Sequence, residues 1–446
     1  MTHPATLEEP VTPAASDAAD RERPTVAILT LGCKLNLADS ESMARRMRDA
    51  GWSVTEKARG ADAVVVNTCS VTHVADAKAR HLVRLARREA APGAAIAVTG
   101  CMLETASPEA IGALGADLAF RQPQQEALTA ALVATRSPTI VTPAPTRPFR
   151  TRAFVSAQEG CNDVCAFCIV PKTRGRERAK SATEVVAQVL AREAEGVQEV
   201  VITGTQLGAW GRGRAAAAGE ADRGLYPLLK ALLEGTRVPR IRLSSVQPQD
   251  LSPETIDLWR DPRLCRHFHL ALQSGSDAVL RRMRRRYTAA QYRAAVESLR
   301  AAIPGVAITT DVIAGFPGET DAEFEETYEF CRELAFAGIH VFPYSPRLGT
   351  VAAKMTDQVP EPVKKERVRR LLALGEEMAV AFRSAYAGRR VEVLWESSRE
   401  TEAGRTWEGL TDTYVRVFAA SEADLENRIT PVMVTRVVEG GVEGQL

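Results

Sequence analysis

The sequence predicts an α/β protein in three parts: an N-terminal parallel-sheet domain, a central partial or full β/α barrel and a small C-terminal β-barrel. Three observations predict it. From Pro24 to Thr135, short apolar runs alternate with amphipathic stretches, the pattern of a parallel sheet with helices on both faces. Between residues 151 and 386, six more strand-like runs alternate with helical ones. From residue 387 onward the texture changes to alternating strands without helices. At 446 residues the chain is long enough for several separately cored domains.

Residues 1–23 are rich in Ala, Pro, Thr, Asp and Glu and read as a disordered tail without the basic start and apolar middle of a signal peptide. The first domain, 24–136, has apolar runs at Val26–Thr30, Ala63–Asn67 and Ala95–Thr99, with helices expected from about Ala38 to Ala50 and from Val74 to Glu89. Residues 137–150 hold prolines 138, 143, 145 and 148 and read as an extended linker. The barrel domain, 151–386, has strands expected at Ala153–Val155, Glu199–Ile202, Arg240–Leu243, His267–Leu270, Ile308–Ile313 and Gly338–Phe342. Helices are expected at Thr183–Glu195, Ala289–Ala302 and Asp321–Leu334. The last part, 387–446, shows alternation at Val391–Trp395, Thr413–Phe418 and Pro431–Val434.

Composition excludes more than it assigns. A formal net charge of +1 gives no whole-chain attraction for nucleic acid, so any RNA-binding surface must be a local patch. No apolar run is long enough to span a bilayer, which predicts a cytoplasmic chain with no membrane partner. In that compartment disulfides are rare, so the eight cysteines point to metal or redox chemistry.

Their placement narrows the chemistry. Cys33, Cys69 and Cys101 each fall just past the carboxyl end of an expected strand, and in a parallel sheet those ends share one edge, where open α/β folds bind ligands. The alternative is three unrelated buried thiols packing as small hydrophobes. Cys161, Cys165 and Cys168 lie within eight residues, directly after the first barrel strand. Three thiols on one loop can hold three irons of a [4Fe–4S] cluster and leave the fourth iron open. A zinc knuckle is the competing reading, but structural zinc takes four ligands and no fourth Cys or His lies nearby. Cys265 and Cys331 have no partner spacing, and Cys331 falls within a helix as a core residue.

The spacing of Cys161, Cys165 and Cys168, with Phe167 before the last, resembles the radical S-adenosylmethionine (SAM) superfamily. Thr30-Leu-Gly-Cys-Lys-Leu-Asn36, Asn67-Thr-Cys69, Gly100-Cys101, Gly160-Cys161, Arg174-Gly-Arg-Glu-Arg178, Leu272-Gln-Ser-Gly-Ser276, Arg282–Tyr287 and Thr310–Glu319 together resemble the methylthiotransferase family, over nearly everything from Pro24 onward. Within it, Thr-Leu-Gly-Cys-Lys-x-Asn, Phe342-Pro-Tyr-Ser345 and the Arg-rich segment are most like the branch acting on N(6)-threonylcarbamoyladenosine of tRNA. The isopentenyladenosine branch and the ribosomal-protein branch are the alternatives, and a zinc-binding RNA adaptor is the non-catalytic one.

The resemblance implies a flavodoxin-like N-terminal domain, a radical SAM barrel and a TRAM-like terminal domain. It implies two [4Fe–4S] clusters, one on Cys161, Cys165 and Cys168 that binds and cleaves SAM, and an auxiliary one on Cys33, Cys69 and Cys101 that carries sulfur. Radical chemistry suits an adenine C2–H, which has no acidic proton for a base to remove. Phe167, Gly204, Thr205, Gln273, Asp311 and Ile313 are the expected SAM contacts. Arg174 and Arg178, in the run Lys172–Lys180, and Arg284 and Arg285, in Arg281–Arg286, are the expected RNA contacts. The implied partners are the anticodon stem-loop of tRNA, an electron donor such as flavodoxin or ferredoxin, and a sulfur source. One departure stands out: acidic residues outnumber basic ones between Gly388 and Leu446, which argues against a strong electrostatic grip on RNA there.

Overall fold

The computed structural model describes residues 23–135, 150–211, 224–401 and 404–446. Almost all of the expected tail and of the expected linker lies outside the described residues.

The first domain is a five-stranded sheet of β1 (Thr25–Thr30), β2 (Ser53–Thr55), β3 (Ala63–Thr68), β4 (Ala95–Gly100) and β5 (Leu118–Ala119), in the order β2-β1-β3-β4-β5. Every pairing is parallel. This is the flavodoxin-like strand order. The central strand β3 is buried along its whole length, which is why Ala-Val-Val-Val reads as a continuous apolar run rather than an alternating one. Helix α1 (Lys34–Asp49) begins four residues before its expected start, with Cys33 at the N-cap position and no side-chain cap there. Helix α2 (His73–Glu89) is capped by the Thr72 side chain, which accepts from the Ala75 N–H. The edge strands β2 and β5, three and two residues long, were too short to show a period.

The barrel is built from β6 (Arg152–Glu159), β7 (Arg178–Ala179), β8 (Glu199–Gly204), β9 (Arg240–Leu243), β10 (Ser245–Val246), β11 (His267–Leu270), β12 (Ala307–Ala314) and β13 (Gly338–Pro343). The strands form two sheets, β7-β6-β8-β9 and β10-β11-β12-β13, joined through an Ile241–Leu264 bridge. All pair in parallel except β7, which returns antiparallel on β6. Among the described residues no pairing closes β6 onto β13, so the barrel is partial, and α1 packs beside β6 and β8. A large apolar core runs from Ala153 to Met378 beneath the helices.

The terminal domain is a closed barrel of β14 (Arg390–Thr401), β15 (Gly404–Thr411), β16 (Arg416–Ala420), β17 (Ile429–Val438) and β18 (Gly441–Gln445). It has five strands where three were expected. Gly409 and Gly444 interrupt the apolar alternation in the two that were missed; a Cβ at Gly409 would lie 2.5 Å from the Leu394 carbonyl oxygen. The expected strand Thr413–Phe418 starts only at Arg416, because Tyr414 sits in a tight turn with φ +67°. Among the described residues, no helix is long and apolar enough to cross a membrane.

Candidate active site

The loop after β6 is shaped by Gly160. Its φ is +69°, and a Cβ there would meet the Arg176 carbonyl oxygen at 2.1 Å, so only glycine lets the cysteine loop lie against the returning segment. Each thiol of this trio receives one donor. Asp163 N–H reaches Cys161 Sγ at 3.4 Å, Val170 N–H reaches Cys168 Sγ at 3.4 Å, and Arg285 Nη1 reaches Cys165 Sγ at 3.2 Å. Such donors favour sulfur carrying negative charge. Burial acts the other way, pushing Cys161 up to about 11 and Cys168 up to about 12. A metal bound to these sulfurs reverses that preference, since a coordinating thiol is deprotonated outright.

The second trio is assembled by the sheet. Register places Thr30, Asn67 and Thr99 in one row, and Cys33, Cys69 and Cys101 follow within three residues of it. Gly32 (φ +118°) lets its loop close on Cys69, whose Cβ would lie 2.9 Å from an added Cβ. Gly100 (φ +104°) lies where a Cβ would meet the Thr68 carbonyl oxygen at 2.4 Å. Asn36 ties two of the loops together: its Nδ2 donates to the Thr68 carbonyl (2.9 Å) and Asn67 Oδ1 (3.2 Å), while its Oδ1 accepts from Cys33 Sγ (3.4 Å). Asn67 Nδ2 answers by donating to the Asn36 carbonyl at 2.9 Å. Burial, then the proximity of Cys33 and Cys101, pushes the Cys69 thiol up to about 11.

One arginine ties the segment after the first trio to the second trio. Arg174 follows the first cysteine loop by six residues, and its side chain crosses to the second trio. There Nη2 donates to Asn36 Oδ1 (3.0 Å), Nη1 pairs with Asp39 Oδ2 (2.8 Å), and the guanidinium hydrogen-bonds Cys101. The expectation that Arg174 faces RNA is corrected: its side chain is 3% exposed and committed to Asn36 and Asp39. Arg285 is corrected likewise, being turned inward onto Cys165 and over the Tyr287 ring. Arg178 and Arg284 are exposed, Arg178 pairing with Glu159 at 3.1 Å.

The expected SAM contacts fall around the mouth of the barrel. Phe167 packs edge-on to Phe316 and joins an apolar cluster with Ile313 and Tyr344. Gly204 ends β8, and the neighbouring Thr205 keeps a buried Oγ1 with no partner. Gln273 adopts φ +71°, and its backbone is clamped to β12 by bonds to the Asp311 carbonyl (2.8 Å) and from the Ile313 N–H (2.9 Å). Asp311 is held between His269 Nε2 and His340 Nδ1, both at 3.1 Å. Burial alone would raise its pKa, but those bonds outweigh it and hold the carboxylate well below its usual range.

Sequence reasoning missed this polar lining. His267 and His269 are two apart on β11, so both rings project from one face, bridged by Thr309 Oγ1 at 3.1 Å to each. That period was legible; its direction was not. Below them, Tyr414 of the terminal barrel stacks on His267 at 4.8 Å, and Arg242 covers its ring at 4.7 Å. The Arg152 guanidinium donates to the Tyr414 hydroxyl at 3.0 Å. A cavity of about 250 Å³ adjoins this floor, lined in part by Arg152, Thr309 and Tyr414. Arg347 was also missed. It donates to Ser70 Oγ (2.6 Å) and pairs with Asp76 (2.8 Å), fastening the Cys69 loop to the barrel.

The donor chemistry fits clusters better than single ions. Among the described residues, the set of three ligand groups drawn within 4.8 Å of one another is His269, Asp311 and His340; neither cysteine trio closes that far. A multi-iron body holds its thiolates further apart than one ion does, and three ligands leave one iron vacant. A partial β/α barrel with such a trio on its first loop defines a radical SAM protein.

Comparison with known proteins agrees. A family model described as the Radical SAM superfamily matches residues 155–331, and one described as Uncharacterized protein family UPF0004 matches residues 25–120. The threonylcarbamoyladenosine tRNA methylthiotransferase MtaB of Bacillus subtilis (strain 168) is 37% identical, over 94% of this chain and 96% of its own. A tRNA-2-methylthio-N(6)-dimethylallyladenosine synthase of Moorella thermoacetica is 34% identical, over 96% and 99%. Among solved structures, the radical SAM methyltransferase TsrM of Kitasatospora setae shares the fold, with TM-score 0.52 and 14% identity over 74% of each chain. The chain belongs to the radical SAM methylthiotransferase family.

Proposed function

We propose that this protein is a tRNA methylthiotransferase that installs a methylthio group at C2 of N(6)-threonylcarbamoyladenosine. The observation that carries the reading is the pair of cysteine trios, the second held by an arginine that follows the first, in a chain 37% identical along nearly its full length to an enzyme of that name. Its cofactors are SAM and two [4Fe–4S] clusters. Together these supply radical cleavage of the substrate C–H bond and the sulfur to replace it.

The chain's own residues bind and orient. Cys161, Cys165 and Cys168 hold the SAM-binding cluster, while Cys33, Cys69 and Cys101 hold the auxiliary one. Phe167, Gly204, Thr205, Gln273 and Ile313 line the SAM position, with the unpartnered Thr205 hydroxyl free to meet a polar group of the ligand. Asp311, fixed by two histidines, lies beneath Ile313 on the same strand. Asn36 and Arg174 keep the two trios in a fixed relation, so that one substrate carbon can face both.

Arg178 and Arg284 supply exposed charge for the anticodon stem-loop. The terminal barrel, acidic in balance, contributes by sealing the base of the catalytic barrel with Tyr414. A flavodoxin or ferredoxin class protein serves as reductant, a separate donor restores the sulfur, and the reaction proceeds in the cytoplasm, where its tRNA substrate is found. Nucleoside mass spectrometry of tRNA from cells lacking the protein is the test. The 2-methylthio-N(6)-threonylcarbamoyladenosine signal is expected to vanish, leaving the unthiolated nucleoside; its persistence refutes the assignment.

A further inference from the structure

Helix α2 buries Ala79, Val83 and Ala86 against the N-terminal domain and turns Lys78, Arg80, Arg84, Arg87 and Arg88 to solvent. Arg87 pairs with Asp117 at 2.7 Å, and Asp76, the acidic residue of the first turn, is taken by Arg347. Lys78, Arg80, Arg84 and Arg88 make no ion pair among the described residues.

A helix face that merely meets water is built otherwise. On the helix Glu361–Ser384, Arg369 pairs with Glu366 at 2.7 Å and Arg370 with Glu325 at 2.9 Å. Arg80, Arg84 and Arg88 instead repeat at i, i+4, where like charges repel and weaken a helix. Successive members stand about 6 Å apart along the axis, a regular row of cations with no anion of the chain to match it.

The helix begins at the mouth of the site. Cys69 lies four residues before it, and its start is held to the barrel, where His73 N–H donates to Ser345 Oγ at 3.4 Å and Arg347 to Ser70 Oγ at 2.6 Å. The same two segments leave Val71, Val74 and Leu348 open to solvent, Leu348 with 95% exposure. About 25 Å of helix thus runs from an apolar tip beside the second trio along an unmatched basic face.

An RNA hairpin has the same polarity: its stem offers a row of phosphates, and its loop offers unpaired bases with apolar faces. We propose that the outer face of α2 holds the phosphate backbone of the anticodon stem, while Val71, Val74 and Leu348 receive unpaired loop bases next to the second trio. This rests on the tRNA reading of the preceding subsection. It goes beyond that reading by placing the main electrostatic grip on the N-terminal domain, away from the terminal barrel with its acidic balance.

The test titrates full-length, cluster-loaded protein, without reductant, against a fluorescent anticodon stem-loop and a blunt duplex of the same stem at several KCl concentrations. Combining Arg80→Gln, Arg84→Gln and Arg88→Gln should make the plot of log affinity against log salt shallower by about two to three, and weaken both RNAs about tenfold or more at low salt. Iron content and 5′-deoxyadenosine release without RNA should stay at the wild-type level. Arg369→Gln with Arg370→Gln should leave the slope unchanged. Leu348→Asp should weaken the hairpin about fivefold or more beyond the duplex. An unchanged slope in the iron-replete triple variant overturns the proposal, as does an equal loss of slope in the Arg369 and Arg370 control. Unchanged RNA binding with slowed reduction by a flavodoxin-class protein assigns the face to the electron donor and overturns it too. Should the triple variant lose iron, Arg84→Gln alone decides, with a slope change of about one expected and none overturning the proposal. Wild type that binds neither RNA would refute the tRNA reading itself.

Discussion

The two cysteine trios reach similar surroundings by opposite routes. Cys161, Cys165 and Cys168 come from one loop, whose own backbone N–H groups and one arginine cover the sulfurs. Cys33, Cys69 and Cys101 come from three strand ends, and their spacing depends on the sheet register, two strained glycines and the Asn36–Asn67 lock. A local site can be read from spacing. An assembled site can be read only once the fold is known, and it is as fragile as the packing that assembles it.

The comparison can be broken most completely at the cysteines. Cys165→Ala should abolish SAM cleavage, measured as 5′-deoxyadenosine released under reducing conditions. Cys69→Ala should keep that cleavage and lose methylthio product; product from the Cys69 variant would remove the second trio from the reaction. Next comes the arginine tie. Arg174→Ala leaves Asp39 buried without its cation and should cost about 3–5 kcal/mol of stability by denaturant unfolding. Iron should be lost from the second trio before the first. Arg174→Lys should recover only part of this, since one ammonium cannot serve Asn36, Asp39 and Cys101 in a planar fork.

Gly100→Ala sharpens the contrast at smaller cost. At φ +104° and ψ −173° the backbone is in a region reserved for glycine, and the added Cβ meets Thr68. A loss of roughly 1–3 kcal/mol is expected from the backbone alone. An exposed control such as Gly93→Ala, with φ +80° but nothing within 4 Å, should show strain without the clash. A further effect, spread over several pH units, lies where the two domains meet. Glu41 on α1 accepts the Phe154 N–H at 2.8 Å, and burial pushes its carboxyl up to about 8. A raised carboxyl pKa means the folded state binds the proton that the unfolded state has released. Stability therefore falls as pH rises from about 4.5 to about 8, by on the order of 1 kcal/mol per pH unit. Glu41→Gln should flatten that slope in pH-dependent thermal unfolding; an unchanged slope would place the titration elsewhere.

What was legible in the sequence follows the same division. The strands that carry Cys33, Cys69 and Cys101 were readable because buried parallel strands are unbroken apolar runs, and the cysteines mark their ends. Helices Ala289–Ala302 and Asp321–Leu334 match their expected bounds because Thr288 and Thr320 form capping boxes with Gln291 and Glu323. The inward turn of Arg174 and Arg285 was not legible, since an Arg-rich run looks the same whether it meets phosphate or sulfur. Nor was the seating of Tyr414 under His267, a contact spanning the barrel and a terminal domain, which no local pattern encodes.

Iron and acid-labile sulfide counts on anaerobically reconstituted protein test the central claim most directly. Wild type is expected to hold about eight irons, and a variant with either whole trio changed to alanine about four. Wild type that stays iron-free, or a triple variant that still holds the full complement, would contradict it.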